Sequence, residues 1–130
     1  MSLAAPAEPT LEASLASTLD VLAWEMELAS ARCIFLDAAI GEMMKAIPED
    51  RHEEFVESMH TVDLLCQQLT SLSAFTRNLS GAVSEEVCMP VQGALGEITL
   101  GALADRMSTA LGGENRGVDD GDGAGDFDLF

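Results

Sequence analysis

Arg51 to Ser80 reads RHEEFVESMHTVDLLCQQLTSLSAFTRNLS, and its periodicity decides the fold class. Apolar residues recur at Phe55, Met59, Val62, Leu65, Leu69, Leu72, Phe75 and Leu79, in steps of three and four. That spacing is the signature of one helical face aimed at another helix. Asp63 and Gln67 sit on the shoulder of the stripe, four residues apart and so one above the other on the helix surface. Small Thr70, Ser71 and Ala74 follow, leaving a polar spot that another protein can approach closely. The bland alternative for the same two residues is an ordinary solvated helix flank.

Upstream, Leu15, Leu19, Leu22, Met26, Ala29, Cys33, Leu36, Ile40, Met43 and Ile47 carry a second helical pattern. Thr10 is placed to cap it, with Glu12 in the first turn. A helix from Thr10 to Ile47 would span about 55 Å, a length suited to a bundle or coiled coil. Trp24 lies beside this stripe and is expected to pack at a bundle or dimer seam. Pro48 ends the helix, because the residue before proline is pushed out of the α region. Asp50 then caps the next helix, with Glu53 as its reciprocal partner. A link this short makes two long helices antiparallel neighbours.

Gly81 marks a C-terminal stop for the second helix. Ser84, Glu85 and Glu86 form a short turn. Beyond Pro90, the residues Val91, Leu95, Ile98, Ala102, Leu103, Met107 and Leu111 predict a third helix, ended by Gly112 and Gly113. Gly93, Gly96 and Gly101 weaken it by about 1 kcal/mol each relative to Ala. The expected fold is therefore all-α: a long antiparallel helical hairpin plus a third helix, associating on dimerisation into a four-helix-type bundle. Residues 1–9 read as a flexible lead-in, residues 10–112 as the bundle domain and residues 113–130 as a disordered acidic tail. The tail closes on Asp126, Phe127, Asp128, Leu129 and Phe130. Apolar anchors on an acidic tether are what a docking peptide needs; a solvated end with no partner is the alternative.

The formal net charge is −17, with six Lys and Arg against 23 Asp and Glu. Nucleic acid and anionic membrane surfaces are poor partners for such a chain; a partner bearing Lys or Arg fits. Three cysteines, Cys33, Cys66 and Cys88, stand singly, which signals neither a disulfide framework nor a thiolate metal site. The N-terminal residues lack the basic and apolar run of a secretory signal, and no apolar stretch is long enough to span a bilayer. A cytoplasmic setting is expected. Acidic residues near the hairpin turn (Glu49, Asp50, Glu53, Glu54) have a sufficient cause in the helix dipole, so no metal ligand set is assigned. His52, by the turn, is expected to be solvated.

Asp63-Leu64-Leu65-Cys66-Gln67 on one arm of a helical hairpin is similar to the Asp-x-x-x-Gln motif of CheZ-type chemotaxis phosphatases, including their small CheT-like alphaproteobacterial relatives. Those proteins are helical hairpins that dimerise into four-helix bundles and carry an acidic, apolar C-terminal peptide that docks on a CheY-type receiver. The resemblance implies that Gln67 orients water onto an aspartyl phosphate while Asp63 pairs with the receiver's lysine. The partner would bring its own Mg²⁺, so no cofactor is expected of this chain. It also implies a docking role for Asp126, Phe127, Asp128, Leu129 and Phe130. The chain is much shorter than those phosphatases and its third helix has no obvious counterpart. It could thus have kept binding without turnover. Two rival classes remain open: a non-catalytic helical adaptor, and a histidine phosphotransfer module built on His60, which lacks the lysine such modules place nearby.

Overall fold

A computed structural model describes residues 10–113. Its elements in chain order are β1 (Glu12–Ser14), α1 (Leu15–Met44), α2 (His52–Ala82), β2 (Cys88–Pro90), α3 (Gln92–Gly96) and α4 (Gly101–Ala110). The fold is all-α apart from the short strand pair, and α1 and α2 form the long antiparallel hairpin.

The start of α1 differs from the sequence expectation. Thr10 caps nothing and Glu12 is not in a helix; β1 pairs antiparallel with β2, setting Glu12 opposite Pro90 and Ser14 opposite Cys88. Leu15 N–H donates to Val87 O and Val91 N–H to Leu11 O at the two ends of the ladder. Ser14 is the true cap, its hydroxyl accepting from Ser17 N at 3.0 Å. Strands of three residues, one containing proline, have too little alternation to announce themselves.

At the hairpin tip α1 stops at Met44, and Lys45, Ala46 and Ile47 donate to Glu42, Met43 and Met44 carbonyls in a tightened turn before Pro48. The expected Asp50–Glu53 capping box does not form. Glu49–Arg51 make a 3₁₀ turn that leads directly into α2, with no side-chain cap. His52 is not simply solvated: its Nε2–H donates to Ile47 O at 2.7 Å, closing the tip. α2 runs through Gly81 to Ala82, so Gly81 is not the stop.

The third helix is two pieces. α3 ends at Gly96, the chain turns through Glu97–Leu100, and α4 resumes at Gly101, the breaks falling where glycine weakens the helix. Its far end matches expectation: Gly112 takes φ +92°, and Gly112 N–H and Gly113 N–H donate to Thr109 O and Ser108 O. This is the paired-bond termination that a left-handed glycine permits.

The hairpin seam holds the main surprise. From Phe55 to Val62 it follows the expected stripe, but beyond that it runs one residue later, through Cys66, Ser73, Thr76 and Ser80. Leu65, Leu72, Phe75 and Leu79 face outward, Leu72 at 51% exposure. On α1 the opposing positions are Ala16, Ala23 and Ser30, all buried. Small side chains every seven residues on both helices let the backbones approach closely. The α2 hydroxyls then reach across, Ser80 to Ala16 O at 2.9 Å and Ser73 to Ala23 O at 3.2 Å. Ser30 lies 3.0 Å from Thr70 Oγ1 and 3.2 Å from Cys66 Sγ. Among the described residues no buried side-chain polar atom lacks a partner, so the polar seam is not penalised for its hydroxyls.

Candidate functional site

Cys66 is the reference point for the site, because it sits in the seam. Residues one position later are turned about 100° to one side of the helix, and residues one position earlier about 100° to the other. Gln67 follows Cys66, whereas Leu65, Leu72 and Leu79 precede Cys66, Ser73 and Ser80. The polar spot and the outward leucines therefore occupy opposite flanks of the hairpin. The same arithmetic on α1 puts Leu22, Leu36 and Met43 with the leucines, and Trp24 and Ala31 with Gln67.

Asp63 and Gln67 are both exposed. Gln67 Nε2 donates to Asp63 Oδ2 at 3.0 Å, which ties the carboxamide nitrogen down and turns its oxygen away from the carboxylate. Among the described residues no cation lies within ion-pair distance of Asp63, whereas Lys45, Arg51, Arg77 and Arg106 are all paired. The pair is thus an oriented amide beside an uncompensated anion, on a helix 31 residues long.

On the same flank Arg77 bridges the two helices. Its Nε and Nη2 donate to Glu27 at 2.6 and 2.9 Å, and Nη1 lies 3.6 Å from Asp20. Hydrogen bonds from Arg77, and then from the Ser73 hydroxyl, hold the Glu27 carboxyl below the usual range; the same Glu27 bond raises Arg77. Arg106 donates to Glu25 through two nitrogens and fastens α4 to α1, and that bond raises its pKa. Neither pairing was foreseen, although arginines so scarce in an acidic chain were the available clue.

Of the other expected residues, His60 stands three residues before Asp63 on the same flank, and Trp24 shares that flank from across the seam. His60 is exposed on α2. Trp24 is 55% exposed and takes no part in the hairpin seam. Cys33, Cys66 and Cys88 are free thiols, Cys66 in the seam and Cys88 on the strand pair. Among the described residues no three His, Cys, Asp or Glu converge as metal ligands, and no helix is long and apolar enough to cross a membrane. A cleft of about 540 Å³ lies between β1, α3 and α4, but Gln92 on its wall already accepts from Leu11 N–H. Asp126, Phe127, Asp128, Leu129 and Phe130 lie outside the described residues, as do residues 1–9.

Fold and site together define a long helical hairpin that offers an oriented amide and a free carboxylate on one open flank. Residues 11–130 match the family model described as a domain of unknown function, DUF8776, and the chain belongs to that family. No curated protein and no solved structure matches it.

Proposed function

We propose that this chain binds an aspartate-phosphorylated receiver domain of a chemotaxis system in the cytoplasm and promotes hydrolysis of the acyl phosphate. The observation that carries this reading is the exposed Asp63–Gln67 pair on a long helix, with the carboxamide nitrogen bonded to the carboxylate and its oxygen turned away from it. Hydrolysis of an aspartyl phosphate is an in-line displacement that asks mainly for positioning. A water oxygen attacks phosphorus, the acyl oxygen–phosphorus bond breaks, and carboxylate, inorganic phosphate and a proton result. Gln67 Oε1 accepts a hydrogen bond from that water and aims its lone pair, without changing protonation itself. Asp63 meets the receiver's active-site lysine and sets the register. Mg²⁺ belongs to the receiver, and the acidic tail through Phe127, Leu129 and Phe130 docks a second surface and raises the local receiver concentration.

Two hairpins associate through the leucine flank, which carries Leu22, Met43, Leu65, Leu72 and Leu79 exposed on the single chain. A contiguous apolar face of this kind calls for a cover. Pairing through it leaves both Asp63–Gln67 flanks open to receivers.

The non-catalytic adaptor is the second reading, favoured by the same leucine flank and by an acidic surface that captures a basic partner without turnover. Phosphate release from a phosphorylated CheY-type receiver separates the two. The wild-type chain accelerates release, and Gln67→Ala lowers that acceleration about 100-fold, as loss of a positioning contact does. Release no faster with the wild-type chain than from the receiver alone leaves only the adaptor, and equal acceleration by Gln67→Ala removes Gln67 from the mechanism.

A further inference from the structure

Across the seam from Asp63 and Gln67 the structure places large apolar side chains that nothing in the hairpin covers. Ser80 faces Ala16, Ser73 faces Ala23 and Cys66 faces Ser30, so seven residues on one helix answer seven on the other. Continued, that register sets Asp63 level with Cys33 and Gln67 level with Ala29. Trp24 and Ile34 are then each about 7 Å along the axis from the Gln67 level, one on either side, with exposed Ala31 between them. Both lie on the Gln67 flank. Trp24 follows Ala23 as Gln67 follows Cys66; Ile34 stands four residues after Ser30 as Glu27 does after Ala23, and Glu27 reaches Arg77 on that flank. Trp24 is 55% exposed and Ile34 60%.

We infer that Trp24 and Ile34 are the apolar footing of the receiver, bracketing Gln67 and determining affinity at the site described above. The inference rests on the receiver-binding reading. The occupant is a receiver face that presents a lysine or arginine beside apolar side chains. Its cation answers Asp63, which has no ion-pair partner among the described residues, on a chain of net charge −17. A second copy fits the other side better, because this flank carries unpaired Asp63, with Asp20 and Glu27 sharing the one Arg77, while the leucine flank carries none of these carboxylates. Small Ala31 and Ala74 keep the ground around Gln67 low, so the receiver's phosphorylated pocket can descend onto the amide while Trp24 and Ile34 grip its rim. Buried apolar anchors of this type dominate binding energy.

Trp24 is the single tryptophan of the chain, so it reports its own burial. Full-length protein is titrated with a tryptophan-free CheY-type receiver activated by beryllofluoride. Expected is a shift of Trp24 emission to shorter wavelength on binding, and a Kd raised about 10-fold by Ile34→Ala, in line with loss of one anchor. Both positions are surface sites, and circular dichroism confirms that the variants remain folded. Binding with unmoved Trp24 emission and an Ile34→Ala variant of wild-type affinity overturns the footing while Gln67-dependent phosphate release still stands. The absence of both binding and release refutes the receiver reading, and the footing falls with it.

Discussion

Replacing Ala23 by leucine puts the close helix approach under direct load. Ala23 is fully buried, and the Ser73 hydroxyl stands 3.2 Å from its carbonyl oxygen. Three added carbons meet the α2 backbone, so the helices part or the new side chain leaves its rotamer. Overpacking of this kind costs about 1–3 kcal/mol. Parting also lengthens the Ser73 bond, worth about 1 kcal/mol, giving a total of roughly 2–4 kcal/mol. For a body of this size each kcal/mol moves Tm by about 4–8 °C, so Tm falls by roughly 10–25 °C. Thermal unfolding followed by far-ultraviolet circular dichroism reads the change. Ala39→Leu, on the exposed side of α1, serves as the control and stays within about 0.5 kcal/mol of wild type. Equal melting of Ala23→Leu and Ala39→Leu would mean that the seam has room for large side chains and that the small-residue register is not what sets the helix spacing.

The proposed dimer seam is tested by Leu72→Glu combined with Leu79→Glu, which places carboxylates on the leucine flank. Sedimentation equilibrium is expected to give twice the chain mass for wild type and the single-chain mass for the variant; an unchanged variant moves the seam elsewhere. Glu27→Gln tests the Arg77 bridge through pH. Because Arg77 holds the folded Glu27 carboxyl below its usual range, the stability it contributes is fully present above the unfolded glutamate value of about 4.3 and is lost as pH falls through the lowered one. Denaturant midpoints of wild type and Glu27→Gln therefore differ at neutral pH and converge in acid; a gap independent of pH assigns the bridge no electrostatic role.

How far the site was legible follows from which part of the argument is local. Asp63 and Gln67 stand one above the other because the helix repeat requires it, and only one helix is involved. Their outward aspect, the open carboxylate and the neighbouring Trp24 and Ile34 depend on how α2 is rotated against α1. Sequence hydrophobicity points Leu65, Leu72, Phe75 and Leu79 into the hairpin, since large apolar residues are the usual seam. It misplaces them because it cannot weigh a close approach over Ala16, Ala23 and Ser30 against burial of leucine. Ser73 and Ser80 look like surface residues until backbone carbonyls of the other helix come within reach.

The sequence by itself determined that this chain is helical, that Pro48 folds it into an antiparallel hairpin, that Gly112 and Gly113 close its last helix, and that it is strongly acidic. Each follows from interactions within a few residues or from summed charge. The tertiary structure alone decided the rotation of α2, the β1–β2 clasp between distant segments, and the Arg77 and Arg106 ties. These are contacts between residues 36 or more apart, and their geometry is set by the distance between two backbones, a quantity that no periodicity encodes.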